Sequence, residues 1–198
     1  MVAVLSIVLV LVVVLLVVVV VGFNRLRVAD VAAQEALGGI DVALTRRADL
    51  VPNLVETVKA YAAHEKGLLE ELTAARTRAV AATGAGSGSG ADDGGDRDVA
   101  ARADADAALS AALVRVAAVS ESYPELRAVE SFSRLQAELA TTEDHLAAAR
   151  QDYNAAAGAL NQLTQTVPWM LATGVAGVRR REFYDAPAGH HEPPQVRF

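Results

Sequence analysis

The sequence predicts an all-α chain: an N-terminal transmembrane helix followed by a long antiparallel bundle of four helices. Three observations carry that prediction. Residues 2–21 are apolar except for Ser6. Beyond them, apolar residues recur at alternating spacings of three and four, the period that keeps one seam of a helix on its partners. Much of the remaining apolar content is alanine and leucine, and aromatics are only 5% of the 198 residues. That composition favours helices over sheets, which draw on β-branched and aromatic side chains.

The apolar run comes first. Twenty residues at about 1.5 Å each cover roughly 30 Å, the thickness of a bilayer's hydrocarbon core. Valine is a mediocre helix former in water, but in lipid a segment must close its own backbone hydrogen bonds, so the run is helical there. A cleaved signal peptide would show a basic start, a shorter apolar core and a small-residue cleavage site. Here no Lys or Arg precedes the run, and Gly22-Phe23-Asn24 is a poor cleavage site. Residues 1–22 are therefore expected to be an uncleaved anchor. Arg25 and Arg27 follow it directly. Basic residues stay on the cytoplasmic side, which places the N-terminus outside and residues 24–198 in the cytoplasm of a single-pass cell-membrane protein.

Residues 23–186 are expected to form the bundle. A first, weak helix covers about 24–48 through Phe23, Leu26, Ala33, Leu37, Ile40 and Leu44. Gly38-Gly39 weakens it by roughly 1 kcal/mol per glycine. Asp49 can cap a new helix with Pro52 in its first turn; the alternative is one long helix kinked at Pro52. The next stripe is Val51, Leu54, Val58, Tyr61, Glu65, Leu68, Leu72, Ala75, Ala79, broken only by Glu65. Residues 82–98, rich in glycine, serine and aspartate, read as a flexible loop. They lack the spacing of a calcium-binding loop. A third helix covers about 98–120, with Asp98 as its cap. "SYPE" (122–125) breaks the chain, with Ser122 as a candidate cap and Pro124 in a first turn. The last helix carries the seam Ala128, Phe132, Leu135, Leu139, Thr142, Leu146, Ala149, Tyr153, Ala156, Leu160, Leu163.

From Val167 to Val178 there is no charge, and Arg179, Arg180 and Arg181 follow. Twelve residues are too few to span a bilayer. One reading has them cover the end of the bundle. The other makes them an interfacial element, with Trp169 at headgroup depth and Arg179, Arg180 and Arg181 against anionic lipid. If the four helices alternate in direction, the last one ends at the membrane; if the first two are collinear, three runs leave the tail at the far end. Residues 187–198 read as a disordered tail.

The chemistry-bearing residues are sparse. A net charge of −6 argues against nucleic acid as a partner, which needs a concentrated basic surface. There are no cysteines, so no thiolate chemistry or disulfide. His64-Glu65 resembles the start of HExxH, but Leu68 stands where the second histidine belongs. A His64–His145–carboxylate metal set can be assembled on paper, though flanking histidines more often hydrogen-bond across a helix pair. No nucleophile elbow, phosphate loop or dinucleotide fingerprint occurs. The chain is therefore expected to have no catalytic, cofactor-binding or metal residues. Arg46, Arg47, Asn53, Glu56, Lys59 and His64 form a candidate recognition surface. The plainer reading of Arg46 and Arg47 is pairing with carboxylates of a neighbouring helix. The expected partners are the bilayer, through residues 2–21, and a membrane-associated protein, with self-association as the alternative.

Three segments resemble a known family. "IDVALTRRADLVPNLVETVKAYAAHEK" (40–66), "YPELRAVESFSRLQAELATTEDHLAAARQDYN" (123–154) and "VRRREFYDA" (178–186) are similar, in sequence and in order, to the LemA family. The resemblance covers almost all of residues 1–186. It implies a membrane-anchored, mostly antiparallel helical bundle with the N-terminus outside. It brings no catalytic residues. The departures are "AQEALGG" just before Ile40, Val167-Pro168-Trp169-Met170, and a long glycine-rich 82–98 segment. The function it supports is a non-enzymatic scaffold or adaptor for membrane-associated proteins, with a self-assembling, lipid-organising protein as the alternative and a metal-dependent enzyme behind both.

Overall fold

The computed structural model describes residues 1–84 and 94–184. Among these the elements are helical: α1 (Val2–Tyr61), α2 (Lys66–Gly84), α3 (Gly94–Ser120), the single turn α4 (Pro124–Arg127) and α5 (Glu130–Gln165). A 3-10 turn at Trp169–Ala172 and the short α6 (Thr173–Ala176) complete the chain. The flexible-loop expectation for 82–98 is corrected at both ends: residues 82–84 belong to α2 and 94–98 to α3, so Asp98 lies inside a helix and does not cap it, while 85–93 lie outside the described residues. The tail expectation for 187–198 lies wholly outside them.

The apolar run, the weak helix and the start of the next stripe are one helix. α1 passes through Gly38-Gly39 and through Pro52 without interruption, so Asp49 does not cap a new helix. The reason is visible at Ala48. Proline has no N–H, so the carbonyl four residues earlier loses its helical donor. That carbonyl is met instead by Arg76 of α2, whose Nε donates to it at 3.0 Å. Pro52 lies on the exposed side of α1.

The stripe from Val51 to Ala79 is two helices. α1 ends at Tyr61, a turn covers Ala62 to Glu65, and α2 folds back. The turn lies at Glu65, the single polar break in the stripe. Tyr123, in the turn after α3, donates to Glu65 Oε1 at 3.3 Å, which ties these two turns together. At "SYPE" the cap is Tyr123, with no side-chain bond, and Pro124 is in the first turn of α4. Ser122 therefore does not serve as the cap.

The described chain divides into two compact units: Met1–Gly38 with Gln151–Phe183, and Gly39–Arg150 with Tyr184. In the second unit, cross-helix pairs give the directions. Asp41 meets Arg102 and Arg47 meets Asp106, so α1 and α3 run the same way. Ala48 meets Arg76 and Glu71 meets Arg115, while Gly39 faces Ala149 and Arg47 meets Glu143, so α2 and α5 run against them. Its core is Val51, Leu54 and Val58 of α1, Leu72 and Ala75 of α2, Leu109 and Val116 of α3, and Phe132 of α5. In the first unit, Leu26 of α1 and Leu160 of α5 pack with Ala172, Ala176 and Val178.

Candidate functional site

Charged side chains in a helix seam must be paired, because an unpaired buried charge is far costlier than a buried hydrogen-bonded pair. The second unit holds such a group. Asp106 of α3 is fully buried, and Arg102 and Arg47 are nearly so. Arg47 Nη1 donates to Asp106 Oδ1 at 3.1 Å and to Ser110 Oγ at 2.8 Å. Its Nη2 lies 2.7 Å from Glu143 Oε2. Arg150 of α5 donates to Asp106 Oδ2, and Tyr184 donates its phenolic hydroxyl to the same oxygen at 3.2 Å. Arg102 forks onto Asp41, with Nη2 to Oδ2 at 3.1 Å. The two arginines around Asp106 and Glu143 balance two carboxylates, so the cluster is neutral as a group.

Burial, and then the charge of Asp106, push the Tyr184 phenol well above its usual value. It therefore acts as a neutral donor and not as a base near neutral pH. Arg150 lies 5.8 Å from the centre of the Tyr184 ring, a cation–π distance. The arrangement is a clamp that ties α1, α3, α5 and the closing segment of the chain, with each carboxylate already engaged by guanidinium groups.

Arg47 was expected on a recognition surface. Its burial and its three partners remove it from any exposed face and fit the plainer reading of intramolecular pairing. Arg46, Asn53, Glu56 and Lys59 are exposed on α1. His64 is exposed too, but in the turn after α1, so it does not extend a helical stripe with Asn53. His145 lies on the exposed side of α5. Among the described residues no three His, Asp or Glu side chains gather to hold a metal, so the set built on His64 and His145 does not form.

Sequence reasoning missed Asp106, Arg102, Arg150 and Tyr184. A signal for two of them exists: Val99, Arg102, Asp106, Leu109 and Val116 share the three-and-four register of α3, which places two charges in the seam.

The first unit holds the second site. Trp169 and Ala172 sit on Gly22, where an added Cβ would lie 3.2 Å from Trp169 Cε3 and 3.1 Å from Ala172 Cβ. Arg25 lies over the Trp169 ring at 5.3 Å. Asn161 of α5 brackets the backbone of Arg181: its Nδ2 donates to the Arg181 carbonyl and its Oδ1 accepts from the Arg181 N–H, both at 2.8 Å. Arg181 Nη2 donates to Asp30 Oδ1 at 2.9 Å, and Tyr153 donates to the Glu182 carbonyl at 2.9 Å. Of the expected membrane-surface residues, Arg179 and Arg180 are exposed, while Trp169 is half-buried and Arg181 pairs inward.

The second unit also carries an open groove of about 500 Å³ along α1, α3 and α5. Leu54, Leu113, Val116, Phe132 and Leu139 line it, with Arg47 and Glu143 among the lining residues.

Fold and sites together define a membrane-associated helical-bundle protein with, among its described residues, one helix long and apolar enough to cross a membrane. The sequence profile of the LemA family matches residues 36–198, and the chain belongs to that family. Two magnetosome proteins of Paramagnetospirillum magneticum, MamQ 1 and MamQ 2, are each 28% identical over 180 residues, covering 84% of this chain and 66% of theirs. The magnetosome protein MamQ of Magnetospirillum gryphiswaldense is 26% identical over 170 residues, covering 79% and 62%. The chain thus spans just under two thirds of the length of these relatives.

Proposed function

We propose that the chain is a non-enzymatic scaffold or adaptor that binds other membrane-associated proteins. Residues 2–21 cross the bilayer once, with the N-terminus outside and the bundle in the cytoplasm. The observation that carries the proposal is the groove along α1, α3 and α5. Its walls are apolar, Val114 beside it is largely exposed, and it holds an ion pair between Arg47 and Glu143. An apolar trough of this kind suits an amphipathic helix of a partner protein, laid in by its apolar face. The clamp supports the same reading, because both oxygens of the Asp106 carboxylate are engaged by Arg47, Arg150 and Tyr184.

The exposed residues Arg46, Asn53, Glu56 and Lys59 offer a second, polar contact on a different side of α1. Photo-reactive side chains at Val114 and at Asn53, in the full chain in cells, separate the surfaces. The expected result is a discrete adduct with another protein from Val114. Adducts only in multiples of the chain's own mass would replace the adaptor reading with self-association.

A further inference from the structure

We propose that residues 167–176 form a second membrane contact: a short wedge that enters the lipid boundary beside the N-terminal helix. The inference rests on the bilayer-spanning reading of residues 2–21. The segment has two faces. Ala172 and Ala176 are buried against Leu26 and Leu160. Val167, Met170, Leu171 and Val175 point away, with 76%, 46%, 70% and 69% of their surface exposed. Four large apolar side chains exposed on so short a stretch make a patch that needs a cover.

Its position says what covers it. Trp169 and Ala172 rest on Gly22, the first residue after the apolar run. With that run in the bilayer, the outward side chains lie at the boundary between headgroups and acyl chains. Apolar side chains gain there by leaving water, and the segment is held at that depth by its contacts with α1. Gly22 lets the segment come this close, since a larger side chain would collide with the indole and with Ala172. The flanking charge fits the same boundary: Arg179 and Arg180 are exposed just after the wedge, and Arg25 lies on the indole of Trp169. Trp169 is thus the hinge side of the wedge, packed on protein, and the lipid-facing groups are the aliphatic ones.

The test uses the full chain in vesicles of phosphatidylcholine and phosphatidylglycerol. The chain has no cysteine, so Leu171→Cys, Val175→Cys, Leu11→Cys and Asn53→Cys each accept one environment-sensitive fluorophore. Lipids carrying a quencher high or low on the acyl chain report depth. The expected result is at least twofold stronger quenching at positions 171 and 175 by the shallow quencher than by the deep one. Position 11 should be quenched best by the deep quencher, and position 53 by neither. Quenching at position 11 with none at 171 and 175 would overturn the wedge and leave the anchor standing. No lipid quenching at position 11 would overturn both. Fluorophores at 171 and 175 shielded from aqueous iodide yet untouched by lipid quenchers would identify a second copy of the chain as the cover, and would also overturn the proposal.

Discussion

Asp106 has no contact with solvent and touches two arginines and a phenol. Asp106→Asn keeps the shape and removes the charge, leaving Arg47 and Arg150 buried with less compensation. Breaking a buried pair in this way costs on the order of 3–5 kcal/mol, and chemical denaturation of the full chain in detergent should show a loss of that size. Tyr184→Phe removes only the hydroxyl, and the lost bond to a charged acceptor should cost about 1.5–3 kcal/mol. The same substitution has a pH signature. The phenol's folded-state pKa is raised, by burial first and by Asp106 second. A raised value means that the group's contribution is complete below its unfolded pKa of about 10. It is lost as pH climbs from there toward the folded value, because the unfolded chain gives up its proton first. Melting temperatures should therefore fall between pH 9 and 11 more steeply in the unmodified chain than in Tyr184→Phe. The sequence shows Arg102 and Asp106 in the seam register, but their partners lie far along the chain. Arg150 and Tyr184 are 44 and 78 residues from Asp106, and no local pattern links positions so distant.

At the scale of the element, Pro52 and Arg76 are the informative pair. The proline removes a donor, and a guanidinium from the next helix supplies one to Ala48. Periodicity shows that both stretches are helical, yet it cannot show that the missing bond has a replacement on α2. This is why a helix start at Asp49 was as consistent with the sequence as an unbroken helix. The coupling is measurable. Arg76→Met should destabilise the unmodified chain by about 1.5–3 kcal/mol, the range for a charged hydrogen bond. In the Pro52→Ala background the alanine N–H returns to the Ala48 carbonyl, and the cost of Arg76→Met should shrink by more than 0.5 kcal/mol, the usual threshold for coupled sites. Equal costs in both backgrounds would show that Arg76 acts through something other than that carbonyl. Gly38 makes a contrasting case. A Cβ there meets nothing within 4 Å, so Gly38→Ala should stabilise α1 by about 1 kcal/mol through helix propensity. The glycine pair weakens the helix without ending it, because Leu37 and Ile40 on either side are buried.

For the whole molecule, the all-helical class and the long apolar helix were legible because each rests on a period or a length that local sequence records. The return of the last helix to Gly22 was not. A helix continuous through Pro52 was expected to leave the tail at the far end; α1 is continuous, but the turn at Ala62 to Glu65 splits residues 51–79 into two helices and restores an even number of runs. The same return bears on orientation. Arg179 and Arg180 emerge in the unit that contains Arg25 and Arg27, but they come late in the chain. Orientation is set by basic residues within about 15–20 positions of the membrane segment. Only Arg25 and Arg27 meet that condition, since the next basic residue is Arg46. With Asn53→Cys as the reporter, a membrane-impermeant maleimide should label the protein only after cells are permeabilised. Replacing both Arg25 and Arg27 with alanine removes the whole signal while leaving the arginines at 179 and 180 in place. A measurable fraction of that variant should then be labelled in intact cells. If labelling stayed fully dependent on permeabilisation, the later arginines or the folded bundle, and not the two beside the helix, would hold the orientation.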